Sequence, residues 1–244
     1  MEKKLVRFFE ILNRENLDGI FLTAVPNVRY LSGYTGVDSF SLVSPKGNAF
    51  ITDYRYIEQA QKECKGYDVI LYRAPNKKLT DVIKDHCRKN GIKRLGFERK
   101  NISLELYETV RTEVEDVELV PAAGLVEELR YIKDDYEQAC LRKACDITDQ
   151  AFFKLISIIK AGMTEKEVEL ELHYLLRKYG ADDRSFDIIV AAGKNSSKPH
   201  AIPSDYRISK GDLVTLDFGA LCEGFHADMT RTVIMGKPDK KQAA

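Results

Sequence analysis

Apolar and polar positions along this chain follow two periods, and the switches between them mark out its elements. Leu5, Phe8, Phe9 and Leu12 recur at helical spacing over residues 4–14, and Asn16 and Gly19 close that helix. A buried strand, GIFLTA, follows, and PNVRYLSGYTG reads as a loop rich in turn formers. SFSLVS and NAFIT read as a hairpin around Pro45–Lys46–Gly47, and TDYRYIEQAQKEC as a helix opening at Thr52 or Asp53. Strand YDVILY, helix LTDVIKDHCRKNG, strand KRLGFE, helix SLELYETVRTEV and strand VELVPA complete the run. Strands alternating with helices over residues 1–120 predict a compact α/β domain.

Pro121–Ala122–Ala123–Gly124 marks a seam, which gives domains over 1–124 and 125–244. Beyond it Asp134 and Glu137 start a helix whose apolar stripe is Leu141, Ala144, Ile147, Ala151, Leu155 and Ile158, with Gly162 as its end. Thr164-x-x-Glu167 is a capping box ahead of Val168, Leu172, Leu175, Leu176 and Tyr179, and Gly180 is the stop. Strand FDIIVA, a long polar loop and two β-patterned runs at 213–233 make the second domain α+β.

Those two runs carry the candidate chemistry. In LVTLDF, Leu213, Thr215 and Asp217 share one face and Val214, Leu216 and Phe218 the other; in the second run His226, Asp228, Thr230 and Thr232 lie together. A turn about Cys222–Glu223, eased by Gly224, sets Asp217 directly opposite Asp228. Directly opposed residues bring their Cβ atoms to about 4.5–5.5 Å, and like charges there repel unless a cation lies between them. Metal pairs in hydrolytic sites sit about 3.5–4 Å apart, a span two such carboxylates can straddle. Solvated aspartates near strand ends, or a bulge that breaks the opposition, are the other reading. His200, between Pro199 and Ala201, belongs to the loop that feeds the strand of Asp217, so it can overhang the carboxylate face, although most lone loop histidines are merely solvated. D-F-G also occurs in kinases, but no glycine-rich phosphate loop or H-R-D run accompanies it.

Composition narrows the classes. The 244 residues hold 38 basic and 38 acidic side chains, so no basic excess points to nucleic acid. No apolar run is long enough for a membrane span, and the first residues lack a signal-peptide core. Five scattered cysteines without a C-x-x-C pair argue against disulfides and a cysteine–zinc site, and fit a reducing, cytoplasmic location.

The stretch PHAIPSDYRISKGDLVTLDFGALCEGFHADMTRTV resembles the pita-bread, M24-type metallopeptidases: methionine aminopeptidase, aminopeptidase P, Xaa-Pro dipeptidase and the metal-free creatinase. The Pro-His pair, the G-D-L-V lead-in, the L-D-F-G run and the A-D-M-T-R-T run carry the match. PNVRYLSGYTG and TDYRYIEQA are similar to the creatinase-type N-terminal domain, which points to the proline-directed branch. The resemblance implies a creatinase-like α/β domain followed by the first half of a pita-bread domain. It also implies hydrolysis of the bond before proline by a metal-bridging hydroxide. Asp217 and Asp228 would be metal ligands, and His200 would hydrogen-bond substrate or the tetrahedral intermediate. Two divalent ions, manganese first and zinc or cobalt as substitutes, peptides with proline in second position, and a homodimer are implied in the same way.

Three further ligands of the family pattern, a histidine in H-x-x-G-H and glutamates in E-P-G and E-D contexts, are not in this sequence. Two divalent ions carry four positive charges, while two aspartates and a hydroxide return three, and few coordination positions are filled. The chain alone is therefore expected to bind metal weakly and turn over little. It is expected to be truncated or a fragment, with an exposed sheet edge and an uncovered apolar face formed partly by Val214, Leu216 and Phe218. An inactive pita-bread module that binds peptide or protein, and a creatinase-like metal-free hydrolase, are the alternatives. His226 reads as a pocket or turn residue or a further ligand; Thr230 as a hydrogen-bond partner of a carboxylate or metal-bound water; Arg231 as half of a structural ion pair. His86 and His173 read as surface residues, and Tyr54 and Arg55 as packing or pairing locally.

Overall fold

In a computed structural model, residues 2–73, 77–239 and 242 are described. The chain divides into two units, Met1–Ile132 and Lys133–Ala244.

The first unit runs α1 (Glu2–Arg14), β1 (Gly19–Leu22), α2 (Val25–Ser32), β2 (Phe40–Val43), β3 (Ala49–Thr52), α3 (Ile57–Glu63) and β4 (Asp68–Leu71). It continues with α4 (Leu79–Asn90), β5 (Arg94–Glu98), α5 (Leu104–Glu113), β6 (Glu118–Ala122) and α6 (Leu125–Arg130). The six strands form one sheet in the order β4-β3-β2-β1-β5-β6, with β1, β5 and β6 parallel and β2–β3 an antiparallel hairpin. Strand alternation decides the layers: Ile20 and Leu22 join Phe8, Leu12 and Leu31 on one side of the sheet. Phe21 points to the other, among Val82, Ile83 and Val110.

Four expectations change here. PNVRYLS is helix α2, not loop, because Pro26 fits the first turn and the Glu98 carboxylate accepts the N–H groups of Thr23 (2.6 Å) and Ala24 (2.7 Å) at its start. The next helix opens at Ile57, since Asp53 folds back onto the Arg55 N–H (3.0 Å) and guanidinium (2.7 Å) in a local pair. The divide falls after Ile132 and not at 121–124: Val126 and Leu129 of α6 are buried in the first unit's core. His86 is buried rather than on the surface, against Asn90, and burial holds its imidazole below the ordinary value.

The second unit opens with α7 (Asp135–Ile156) and α8 (Glu165–Lys178), both begun by the expected capping boxes. α7 ends before Gly162, where Ser157 bonds back to the Lys154 carbonyl (2.7 Å). Then come β7 (Asp183–Arg184), β8 (Ile189–Ala192), β9 (Leu213–Phe218), β10 (Ala220–Cys222), β11 (Phe225–His226) and β12 (Met229–Ile234). They form two three-stranded sheets, β12-β9-β8 and β11-β10-β7. Val214, Leu216 and Phe218 are fully buried against Ile147, Leu155, Leu172 and Leu175, so the apolar face expected to lie open is covered by α7 and α8. The expected open edge is β12, which among the described residues pairs with β9 alone and exposes Thr230, Arg231 and Thr232.

Candidate active site

The hairpin turns on Glu223 and Gly224, both at positive φ (53° and 80°), with Cys222 opposite Phe225. The centre therefore lies one residue beyond the expected Cys222–Glu223, and the pairing moves by two. Asp217 faces Thr230, not Asp228. Asp228 lies just before β12, two positions from Thr230, so the two aspartates are offset along the ladder rather than opposed. The Thr230 hydroxyl donates to Asp217 at 2.5 Å, the contact expected of it.

Glu223 tolerates its left-handed backbone because its carboxylate is held. Lys143 of α7 donates to it at 2.5 Å, with Cys140 (3.5 Å) and Tyr136 (3.4 Å) beside it. Lys143, then Cys140, keep this carboxyl below its ordinary value of 4.5. A depressed folded-state value stabilises the fold above the unfolded value and loses that contribution as pH falls through the folded one. The stability difference between wild type and Glu223→Gln in urea should thus be full at neutral pH and shrink as the pH is taken below 4.5. A gap that stays constant with pH contradicts the pairing. The pair is partly exposed, so added salt should narrow the gap too.

β9 and β10 belong to different sheets, and Gly219 is the buried hinge between them. The Ala227 carbonyl oxygen lies 1.8 Å from where a Cβ on Gly219 would stand. The Gly219 carbonyl accepts from Ser185 N–H (2.8 Å), and Ala220 N–H donates to the buried Thr148 hydroxyl (3.0 Å). The glycine of the D-F-G run is thus there for close backbone approach.

Asp217, Asp228 and His200 line one open cleft of about 960 Å³ in the second unit. Phe186, Ile188, Ile189 and Ile202 give it an apolar wall, and Lys166 and Arg184 stand at its margin. Arg184 is committed to Asp187 (2.9 Å) and Glu169 (3.4 Å). Among the described residues neither Asp217 nor Asp228 forms an ion pair, which leaves two carboxylates without a protein counter-ion. His200 is exposed, next to the buried Ala201.

The other candidates lie elsewhere. His226 bonds Ser185 Oγ (2.9 Å) and is not in the cleft lining. Arg231 donates to the Thr230 carbonyl (2.8 Å) where an ion pair was expected. His173 pairs with Asp183 (3.2 Å). Among the described residues no group of three His, Cys, Asp or Glu side chains is gathered for a metal ion. The acidic oxygens suit a hard divalent cation, but two carboxylates do not complete a two-ion centre.

Glu165 is the residue that sequence reasoning missed. It is wholly buried at the start of α8 and accepts from Ala192 N–H (2.8 Å), Asn195 Nδ2 (3.1 Å), Ser204 N–H (3.0 Å) and Ser204 Oγ (2.6 Å). Its place beside a capping box explains it as an acidic helix start, and partners 27 and 39 positions away leave no local signal.

Residues 4–132 match the creatinase/prolidase N-terminal domain, and residues 139–244 match metallopeptidase family M24. The sequence is 42% identical over 235 residues to YqhT, an uncharacterized peptidase of Bacillus subtilis, covering 96% of this chain and 66% of that one. It is 30% identical over 244 residues to the Xaa-Pro dipeptidase of Pyrococcus horikoshii, covering 99% and 67%. The fold superposes on an Xaa-Pro dipeptidase from Bacillus anthracis with a TM-score of 0.92 at 39% identity, over 98% of this chain and 66% of that one. On an X-Pro aminopeptidase from Thermotoga maritima the TM-score is 0.87 at 33% identity, over 97% and 66%. The chain thus spans about two thirds of the length of these relatives.

Proposed function

Because this chain belongs to metallopeptidase family M24 and carries the creatinase/prolidase N-terminal domain, we propose that it serves hydrolysis of the peptide bond before proline, as part of an Xaa-Pro dipeptidase or aminopeptidase. What carries the reading is that Asp217, Asp228 and His200 line one cleft with an apolar wall. Asp217 and Asp228 are the carboxylates this chain offers to divalent ions, manganese first. Oxygen donors suit that ion. His200 overhangs the cleft from its loop and donates or accepts at the substrate carbonyl region. The wall of Phe186, Ile189 and Ile202 receives a proline ring, which is apolar and has no N–H to satisfy. With two carboxylates and no third ligand among the described residues, the chain alone holds metal weakly and turns over little. A cytoplasmic homodimer is the setting we assign to it.

The test is the response of the isotope-labelled chain to Ala-Pro in the presence of manganese or diamagnetic zinc. Shifts should concentrate at Phe186, His200 and Ile202 and be clearly weaker with Ala-Ala. Equal responses to the two dipeptides, or shifts outside the cleft, would overturn the assignment. Rapid turnover of an Xaa-Pro peptide by this chain as a monomer would contradict the claim that two carboxylates are too few.

A further inference from the structure

The loop that carries His200 leaves β8 at Ala192, turns through a short 3-10 segment at Gly193–Asn195 and returns at Ser204–Ile208 before β9. Its return arm is strapped to the start of α8 by the backbone. Lys166 N–H donates to the Ser204 carbonyl (3.2 Å), Glu165 N–H to Tyr206 (3.2 Å), and Ile208 N–H to Met163 (2.9 Å). The outgoing arm reaches the same helix end through the Glu165 side chain. One carboxylate oxygen, Oε1, accepts from Ala192 N–H and Asn195 Nδ2; the other, Oε2, accepts from Ser204 N–H and Oγ. Each oxygen serves one arm, and His200 lies on the stretch between the two anchor points.

We propose that Glu165 is a positioning residue for His200, clamping both arms of the loop so that the imidazole is held over the carboxylate cleft. The proposal rests on the reading of the cleft as a peptide-hydrolysing site, but its structural content can be tested apart from that reading. The physical case is an asymmetry of donors and acceptors. A carboxylate offers acceptors on both oxygens, and four donors from the protein offset the cost of burying its charge. A fully buried carboxylate serving only to begin a helix would be a poor use of that cost, since an exposed acid does as much for the dipole. Glutamine has the same shape but only one acceptor oxygen, so its amide NH2 must confront donors on one arm.

In Glu165→Gln the protein should keep its fold, and amide exchange between Asn195 and Ser204 should accelerate by about tenfold, the equivalent of one lost charge-assisted bond. Exchange in α7, β9 and the rest of α8 should stay as in wild type. The His200 ring resonance should sharpen as the ring gains freedom, and the Ala-Pro response at His200 should fall severalfold. The responses of the Asp217 and Asp228 amides to manganese should be unchanged, a split that general loosening of the domain would not give. Ser204→Ala, which removes the Oγ bond to Oε2 together with the Tyr206 N–H···Oγ bond within the same arm but keeps the other three bonds to Glu165, should give the same pattern in weaker form and serves if Glu165→Gln does not fold. Unchanged loop exchange and an unchanged His200 line shape in a folded variant would overturn the proposal. If wild type itself fails to respond to Ala-Pro, the peptidase reading falls, and the exchange and line-shape data still decide the role of Glu165.

Discussion

Alanine at position 219 is expected to lower the thermal midpoint of the second unit by about 10 °C or to leave the protein insoluble. A Cβ there would stand 1.8 Å from the Ala227 carbonyl oxygen, 2.6 Å from its carbon and 3.2 Å from the Asp228 nitrogen. All three are backbone atoms, so no rotamer change relieves the clash; the segment leading into β12 has to move. Overpacking of this kind costs about 1–3 kcal/mol and more where backbone is displaced. At about 3 kcal/mol, a large part of a domain's total stability is gone. Gly211→Ala is the matched control. Gly211 has φ +90° but nothing within 4 Å of its Cβ direction, so only conformational strain opposes the change, about 1–2 kcal/mol. Urea unfolding of the two variants separates close approach from strain. Gly219→Ala melting with or above Gly211→Ala would refute the packing account. The same displacement would carry Asp228 out of the cleft, so any fraction that stays folded should also lose its response to manganese.

How much of this was legible in the sequence depends on how local each signal is. The capping boxes at Asp134 and Thr164, the buried run of β1 and the alternation of β9 each depend on residues within a few positions, and each is found where the pattern put it. Of the α7 stripe, Ala144, Ile147, Ala151 and Leu155 are in the core, whereas Leu141 is not and Ile158 lies past the helix end. Together with the motif runs around Asp217 and Asp228 they gave the family and both halves of the architecture. Sequence pattern does not show helix α2 because the segment leading into it, Thr23 and the N-cap Ala24, is held by Glu98, more than seventy positions away. The hairpin register was misjudged by one turn residue because Glu223 is an unusual occupant of positive φ, where asparagine, aspartate or glycine is favoured. Lys143, Tyr136 and Cys140 hold it there, and all three lie on a distant helix. The uncovered face was misjudged for a related reason: strand alternation tells which side of β9 is apolar but not which helices cover it. Asp217, Asp228 and His200 still share a cleft despite the shifted register, since a slip of two positions returns a side chain to the same face of a strand.

That shared cleft makes the second strong expectation. Two carboxylates line the same cleft, neither with an ion-pair partner among the described residues, since Lys166 and Arg184 of the lining pair with other acids; Asp217 also accepts the Thr230 hydroxyl. A divalent ion bound in the cleft would meet both negative charges at once. Replacing either by asparagine keeps the shape and a carbonyl oxygen but removes half of the charge. The most direct test is calorimetric titration of manganese into wild type, Asp217→Asn and Asp228→Asn. Wild type should bind in the range of about 0.1–1 mM, the weak end for oxygen-ligand sites, and each variant about tenfold more weakly or undetectably. Wild type and both variants binding alike, or none binding at all, would contradict the assignment of this cleft as the metal face of the protein.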